Sequence, residues 1–210
     1  MWCYSLLRKN NPPPRQRVGR GSFEDMARPA SVDDTALIDK LSRVISRHGY
    51  EAASLGRLSE ASGLQRASLY HRFPGGKAEI LEAALVRAEE RFDAMLSPAY
   101  LPGDPLERAQ KVAREIDRYY EGGQESCLIV ALSLADPERR AMALPCITAW
   151  ADAFTQISKD AGAATKEAKN RSHELVAQIE GALVISAATG NRSPFKRAIA
   201  DLPRRLTAAA

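Results

Sequence analysis

Residues 54–73 of the chain read SLGRLSEASGLQRASLYHRF. This stretch holds two short helical segments, 55–62 and 65–73, on either side of Gly63. A helix-turn-helix has this length, and its turn commonly holds a glycine with a left-handed backbone. Small residues beside the turn allow the first helix to cross close to the second. The stretch therefore predicts a helix-turn-helix motif.

The second helix of this motif has an apolar and a polar face. The apolar positions spaced to pack inward are Leu58, Leu64, Leu69 and Phe73. The polar residues on the short outward face are Gln65, Arg66, Ser68, Tyr70 and His71. A helix with such a face can enter the major groove of DNA. An ordinary pair of packed helices with a solvated face has the same spacing, so spacing alone leaves both interpretations open.

The rest of the body shows apolar residues at helical spacing and no alternating pattern of a β-strand. After a first helix closed by Gly49, the predicted stripes lie in residues 81–95, 106–120, 127–134, 144–161, 165–188 and 194–206. Residues 127–134 are apolar nearly all round, which predicts a helix surrounded by other helices. Pro145 either begins or kinks its helix. The predicted fold class is all-α.

The positive charge of the chain is concentrated at its N-terminus. Of its 210 residues 45% are hydrophobic, and the formal net charge is +4. Residues 1–32 hold six bases and two acids, so the remaining residues are neutral in total. The isoelectric point of about 9.0 is therefore weak evidence for nucleic-acid binding.

Residues 1–32 include Pro12, Pro13 and Pro14 and have no helical or strand period. Such a segment cannot bury a core, which predicts a disordered basic extension. A chain beginning at Met26 would lose nothing that packs. The extension is thus either not part of the natural protein or a basic arm that touches DNA phosphates or a minor groove.

The sequence lacks the signatures of membrane proteins, metal-binding proteins and enzymes. The longest apolar stretch, 127–134, is far too short to span a bilayer. The three cysteines form no CxxC pair, which predicts reduced thiols and a cytoplasmic location. No histidine has a partner at metal spacing, so we expect no metal and no cofactor. Cys127, Cys146 and His173 come without an oxyanion motif, and we expect no enzyme.

Two runs of residues carry a family resemblance, GYEAAS at 49–54 and SLYHRFPGGK at 68–77. Residues 33–95, which contain them, resemble the DNA-binding domain of the TetR family of transcriptional regulators. The run LYH-x-FPGGK resembles the LmrA/YxaF-like branch of that family. Gly122-Gly123, shortly before Cys127, is similar to the ligand-domain pattern of the same branch.

The resemblance implies a homodimer with a three-helix DNA-binding domain at 33–80 and a helical ligand-binding and dimerisation domain at 81–210. Its partners would be double-stranded operator DNA and a small apolar or aromatic inducer that releases a repressor. The helix after Gly76 would carry the signal by its tilt. The last two helices offer apolar stripes for an intersubunit four-helix bundle. A transcriptional activator with the same module, or a small-molecule binding protein without DNA function, are the alternatives.

The resemblance also implies roles for single residues in DNA binding. The matching positions are Ser54, Gln65, Arg66, Ser68, Tyr70, His71 and Lys77. Ser54 caps the second helix and can donate to a phosphate, and Lys77 contacts a phosphate. Tyr70 and His71 contact phosphates or bases. The remaining three read bases or groove edges, since glutamine and arginine can pair with base edges.

Two positions depart from the family's pattern. Members usually have serine or threonine where Gln65 stands, so the cap of the recognition helix is expected to be weaker. They often have glycine where Ala67 stands, which is expected to alter how closely the helix approaches DNA.

A ligand cavity in the C-terminal part would be lined by bulky or polarisable residues on the inward helix faces. The candidates are Tyr119, Cys127, Met142, Trp150 and Phe154. Simple core packing explains each of these residues equally well when it is considered alone.

Overall fold

The computed structural model describes residues 34–208, which form nine α-helices and one short 3-10 helix, without a β-strand among them. In chain order the helices are α1 (Asp34–Ala52), α2 (Leu55–Ser62), α3 (Arg66–Arg72), α4 (Lys77–Leu96), α5 (Pro105–Tyr119), α6 (Leu128–Ser133), α7 (Pro137–Asp160), α8 (Thr165–Thr189) and α9 (Ser193–Leu206), with the 3-10 helix at Ser97–Tyr100. The predicted all-α fold is confirmed. The extension at 1–32 lies outside the described residues. Within 34–208, no helix has the length and apolar content needed to cross a membrane.

Helices α1 to α3 form an N-terminal unit, of which α1 packs along α4. Its most buried side chains are Leu37, Leu41, Ile45, Leu58 and Leu69, each at 0% or 1% exposure. Leu64 and Phe73, also predicted to point inward, are partly buried against this core. The second half of α4 packs on α5. Because α4 crosses the predicted domain boundary at residue 80, it belongs to both halves of the molecule.

The helices after α4 enclose a cluster of aromatic rings. The rings are those of Phe92, Tyr119, Tyr120, Trp150, Phe154 and Phe195, with neighbouring centroids 4.8–6.3 Å apart. Most neighbouring pairs meet edge to face, the geometry that the charge distribution of aromatic rings favours. Since the rings come from α4, α5, α7 and α9, the cluster fixes how these helices pack.

Helix α7 begins at Pro137, well ahead of the predicted start at residue 144 or 145. The Asp136 carboxylate accepts hydrogen bonds from the backbone N–H groups of Glu138 and Arg139, at 3.1 Å each. An aspartate cap followed by proline is a strong start signal for a helix. Pro145 lies inside the helix, so the alternative in which it begins the helix is wrong. The first turns of α7 are polar, so a prediction based on apolar residues at helical spacing did not include them.

Helix α6 is shorter and less buried than its sequence predicts. Leu128, Ile129 and Leu132 are buried, but Leu134, just after the helix, is 82% exposed. The prediction of a helix surrounded on all sides is therefore wrong. A helix of six residues covers little surface, and within the described residues α6 packs mainly on α1 and α7. Its remaining apolar side faces a cavity.

The last two helices differ in the apolar surface that they leave free. Helix α8 exposes Val184 at 55% and Ile185 at 48%. The large apolar residues of α9 are buried within the chain: Phe195, Ile199, Leu202 and Leu206. The apolar stripe predicted on α9 packs on α5 and α8. The stripe predicted on α8 is also buried within the chain at Leu175, Ile179 and Leu183. The apolar side chains that α8 leaves exposed are other ones, and an intersubunit bundle stays a prediction.

Two glycines turn the chain after α5. Gly122, with φ of 66°, and Gly123, with φ of 87°, both have a left-handed backbone. A β-carbon at Gly123 would lie 2.9 Å from Cδ1 of Phe195, whereas one at Gly122 would meet nothing within 4 Å. Gly123 is therefore required for its backbone and also for its close approach to the aromatic cluster.

Replacing Gly123 by alanine is expected to lower the free energy of unfolding by about 2–4 kcal/mol, because the added methyl group displaces the Phe195 ring and the backbone is strained. Gly122→Ala is the matched control and bears only backbone strain, with an expected loss of about 1 kcal/mol. Chemical denaturation of both variants measures the difference. Equal losses would contradict the close approach at Gly123.

Candidate nucleic-acid interface and neighbouring cavity

The turn between α2 and α3 is built by one glycine and two serines. Gly63 has φ of 72° and ψ of 9°, the left-handed conformation that the sequence predicts. The Ser59 hydroxyl donates to the carbonyl of Leu64, and the Ser62 hydroxyl accepts from the Leu64 N–H. These serines therefore fix the turn through hydrogen bonds, in addition to allowing the close crossing for which their small size was noted.

The start of α2 presents Ser54 at the protein surface. Its hydroxyl accepts from the backbone N–H of Arg57 at 3.3 Å, so the predicted cap is confirmed. A β-carbon at Gly56 would lie 2.9 Å from Nη2 of Arg66. The absence of a side chain at Gly56 thus leaves space for the Arg66 guanidinium, which reaches from the start of α3 to the start of α2. This contact joins the starts of α2 and α3 on the outer side of the motif.

Helix α3 buries one side chain and exposes its polar face. Leu69 is 1% exposed and anchors the helix. The five side chains predicted to point outward, those of Gln65, Arg66, Ser68, Tyr70 and His71, are all exposed. Gln65 is the N-cap residue and makes no side-chain capping bond, as expected from its departure from serine or threonine. Together with Ser54 and exposed Arg57, which sequence reasoning missed, they form one polar surface, termed the α2–α3 face.

Lys77 is placed differently from these residues. Its ammonium donates to the carbonyl oxygens of Tyr50 at 3.0 Å and Glu51 at 3.3 Å. It also lies 4.2 Å from the centroid of the Tyr50 ring. The structure therefore ties Lys77 to the end of α1, while Gly76 just before it approaches the ring of Tyr70 on the α2–α3 face. The sequence could not indicate this, because the partners are carbonyl groups 26 and 27 residues away.

The ring of Tyr50 is the junction between the N-terminal helices and the rest of the molecule. The guanidinium carbon of Arg139, in the first turn of α7, lies 3.8 Å from the ring centroid. Tyr50 is thus held between Lys77 and Arg139 and is 8% exposed. Arg139 also pairs with Asp136 and lies 3.7 Å from Glu51. Sequence reasoning quoted Tyr50 in the family pattern but gave it no role.

A cavity of about 700 Å³ opens beside this junction, between the end of α1, α6 and α8. Its walls are mainly apolar and include Tyr50, Cys127, Val130, Leu183 and Val184. Cavities that bind small organic molecules have this size and character.

The five residues predicted to line a ligand cavity are mostly elsewhere. Cys127 lines the large cavity, and Tyr119 lines a second one of about 40 Å³. Trp150 and Phe154 lie inside the aromatic cluster, at 1% and 0% exposure, and Met142 packs against the core. Core packing, the alternative at each position, describes these last three residues. Aromatic rings on inward helix faces packed on one another and left no space between them.

One carboxyl group in the cavity wall was missed by sequence reasoning. Glu180 of α8 lines the cavity, and its Oε2 atom is buried without a hydrogen-bond partner. Burial raises the pKa of Glu180 from 4.5 to about 7. Cys127 lies beside it, and burial, followed by the nearby Glu180 carboxylate, raises the pKa of that thiol well above its ordinary value. The sequence signal that could have indicated this buried acid is the position of Glu180 next to the apolar stripe of Ile179 and Leu183.

Within residues 34–208, no three side chains of histidine, cysteine, aspartate or glutamate come together in a group that could hold a metal ion. Cys127 and Cys146 are both buried, and neither forms a disulfide within the described residues.

Comparison with known proteins identifies the family. Residues 37–84 match the model of bacterial regulatory proteins of the TetR family, and residues 105–201 match the C-terminal domain of LmrA/YxaF-like transcriptional regulators. Together these segments cover more than two thirds of the chain.

Individual relatives agree with these matches. The HTH-type transcriptional regulator LmrA of Bacillus subtilis is 24% identical over 174 residues, which cover 80% of this chain and 93% of LmrA. The HTH-type transcriptional repressor ComR of Escherichia coli is 40% identical over 67 residues, 32% of this chain and 31% of ComR. A TetR transcriptional regulator from Legionella pneumophila has the same fold, with a TM-score of 0.70 at 15% identity over 85% of this chain and 98% of that one. The family consists of transcriptional regulators and not of enzymes. This chain belongs to the TetR family of DNA-binding transcriptional regulators, with a C-terminal domain of the LmrA/YxaF-like type.

Proposed function

We propose that the protein is a repressor that leaves its operator when a small apolar or aromatic molecule occupies the cavity beside Tyr50. The observation that carries this proposal is that one residue serves both sites. Tyr50 lines the cavity and at the same time holds Lys77, the first residue of α4. A molecule that displaces the Tyr50 ring would therefore disturb the helix on which the DNA-binding unit rests.

In this proposal, residues 33–80 bind DNA, and residues 81–210 bind the ligand and form the dimer. The proposed contacts to DNA are Ser54, Gln65, Arg66, Ser68, Tyr70, His71 and Lys77. Exposure of the first six in one surface supports direct contact. Lys77 would reach a phosphate only by leaving the carbonyl groups of Tyr50 and Glu51, or would act through the junction that it forms with them.

The ligand response follows from the same arrangement. A ligand that favours a changed position of Tyr50 would shift the tilt of α4 and hence the separation of the two recognition helices in a dimer. By linkage, operator DNA must then weaken ligand binding by the same factor. Of the predicted ligand residues, Cys127 is retained as a contact because it lines the cavity. Identical orientations of residues 77–97 in the ligand-bound and DNA-bound proteins would contradict this account.

Arg66→Gln tests the α2–α3 face. The substitution removes a charged group that can pair with a base edge or a phosphate, and the expected loss of operator affinity is about 1–3 kcal/mol. The matched control is Arg197→Gln, which removes an exposed arginine from α9 and is expected to leave DNA affinity unchanged.

Fluorescence anisotropy with a labelled duplex from upstream of the chain's own gene, and a scrambled duplex as competitor, measures both variants. An Arg66→Gln variant that binds both duplexes as the wild type does would contradict the proposed role of α3.

The proposed dimer contact is the exposed side of α8. Gly181 lies in the middle of this side, and a β-carbon there would meet nothing within 4 Å in its own chain. Glycine is unfavourable by about 1 kcal/mol relative to alanine inside a helix. The close passage of a partner's helix is a physical reason for glycine at this position, and exposed Val184 and Ile185 would be covered by it. Two recognition helices would then address half-sites roughly 34–36 Å apart.

Gly181→Arg is expected to convert the dimer to monomers, because a long charged side chain blocks close helix packing. Ala94→Arg, on an exposed position of α4, is the matched control and is expected to remain dimeric. Analytical ultracentrifugation over a range of concentrations distinguishes the two states. A dimeric Gly181→Arg protein with unchanged dissociation constant would place the contact elsewhere.

A further inference from the structure

Glu180 carries an ionisable group into a mainly apolar wall without a partner of opposite charge. Within residues 34–208, no lysine, arginine or histidine lies within ion-pairing distance, 4.0 Å, of its carboxyl group. Burying a carboxylate without a counter-charge is unfavourable. The group is therefore unexplained by the packing of the described chain.

The neighbours of Glu180 satisfy it only in part. The Tyr120 hydroxyl donates to Sγ of Cys127 at 3.3 Å, and the Cys127 thiol is the polar group beside Glu180. A thiol is a weak donor. Oε2 of Glu180 has no partner at all. A ligand with a strong donor would supply what the protein does not.

The charge of the cavity lining has one sign. The lining contains the carboxyl groups of Glu51 and Glu180 and no lysine or arginine. Lys77 and Arg139 lie at one edge, but the first is bound to two backbone carbonyls and the second pairs with Asp136. The end of α1 also contributes His48 and Tyr50 to the lining. Glu51 lies 3.9 Å from Lys77 and 3.7 Å from Arg139. Glu180 is therefore the acid of the lining that a cation entering the cavity would meet without a counter-charge.

We propose that the cavity binds a molecule with a cationic amine or ammonium group on an aromatic or apolar body, and that Glu180 is its counter-charge. The apolar lining holds the body, and the carboxylate of Glu180 accepts hydrogen bonds from the amine. This inference rests on the proposed ligand response, since it names the chemical class of the molecule. It sets a selectivity that an apolar cavity alone would not have, because a neutral molecule of equal shape gains at most a weaker hydrogen bond from Glu180 and an anionic one is repelled by it.

Three compounds that share the naphthalene group but differ in charge test this selectivity. They are the cation 1-naphthylmethylamine, the neutral 1-naphthalenemethanol and the anion 1-naphthaleneacetate. Titration calorimetry with the full chain is expected to give the amine at least about tenfold tighter binding than the alcohol, with the acetate weakest. Glu180→Gln, which keeps the shape, is expected to remove the preference for the amine and to leave the affinity of the alcohol unchanged. Glu107→Gln, an exposed acid on α5, is the matched control and should leave all three affinities unchanged.

The pH dependence provides a second readout. Because Glu180 ionises near neutral pH, affinity for the amine is expected to rise between about pH 6 and about pH 8, and affinity for the acetate to fall. The groups that surround Glu180 are Tyr120 and Cys127 on one side, and His48, Tyr50 and Glu51 at the end of α1. His48→Gln is the control for the other ionisable side chain that lines the cavity at the end of α1. The rise should persist in that variant.

Stability reports on the burial of Glu180 without any ligand. Its pKa is about 7 in the folded chain against an ordinary value of 4.5, so folding binds a proton between these values. The folded state therefore loses stability as pH rises through this window, and the loss is complete above it. Glu180→Gln lacks this loss. Its melting temperature is expected to exceed that of the wild type at about pH 8 and to match it near pH 4.5.

Equal binding of the amine and the alcohol by the wild type, or an amine preference that survives in Glu180→Gln, would overturn the inference. Failure of binding by all three compounds would overturn it as well. Release of operator DNA, measured in the same samples, separates this inference from the proposed function. Selective amine binding without release of DNA supports the inference and contradicts the proposed ligand response. Release of DNA by the alcohol, with no preference for the amine, supports the ligand response and contradicts the inference.

Discussion

The contact of two cations with the ring of Tyr50 is the constraint on which the arrangement of the two halves depends. Lys77 brings the start of α4 to this ring, and Arg139 brings the first turn of α7. Partly desolvated contacts of this kind contribute about 1–2 kcal/mol each. The ion pairs Arg43–Glu121 and Arg47–Glu125 also tie α1 to the turn after α5. Their arginines are 44% and 53% exposed, and exposed pairs contribute about 0–1 kcal/mol.

These magnitudes suit a switch. Allosteric coupling is typically about 1–3 kcal/mol, which changes an affinity by about 5–150-fold. Loss of one or both contacts at Tyr50 has this size. The two halves are also joined by α4 and by the packing of α6 on α1, which a small ligand would leave in place while it disturbs the contacts at Tyr50. The position of the cavity, with Tyr50 in its wall, lets ligand binding act on the contacts directly.

The helix-turn-helix could be predicted from sequence because its signals are local. Gly63 is required by the left-handed turn, and Leu58 and Leu69 are required by the core beneath it. The outward residues of α3 followed from helical spacing once the inward ones were known. For the same reason the ends of most helices were close to their predicted places. The start of α7 was missed, because the Asp136-Pro137 signal precedes polar turns with no apolar stripe.

The cavity could not be predicted, because it is defined by what three distant segments leave unfilled. Trp150 and Phe154 are large and inward-facing, as ligand residues often are, but their rings fill the space between helices. In the sequence Glu180 is a polar residue beside an apolar stripe, and its burial next to Cys127 follows only from the packing of distant segments. The spacing of residues in the sequence likewise could not indicate that Lys77 donates to the backbone carbonyls of Tyr50 and Glu51.

Hydrogen–deuterium exchange with and without the operator duplex tests most directly whether the Tyr50 junction links the DNA-binding helices to the cavity. DNA binding should slow exchange across residues 55–72 by direct contact. The account predicts an additional change at residues 49–54 and at residues 138–142 of α7, which lie outside the α2–α3 face but share the junction. Slower exchange confined to residues 55–72, with residues 138–142 unchanged, would contradict it.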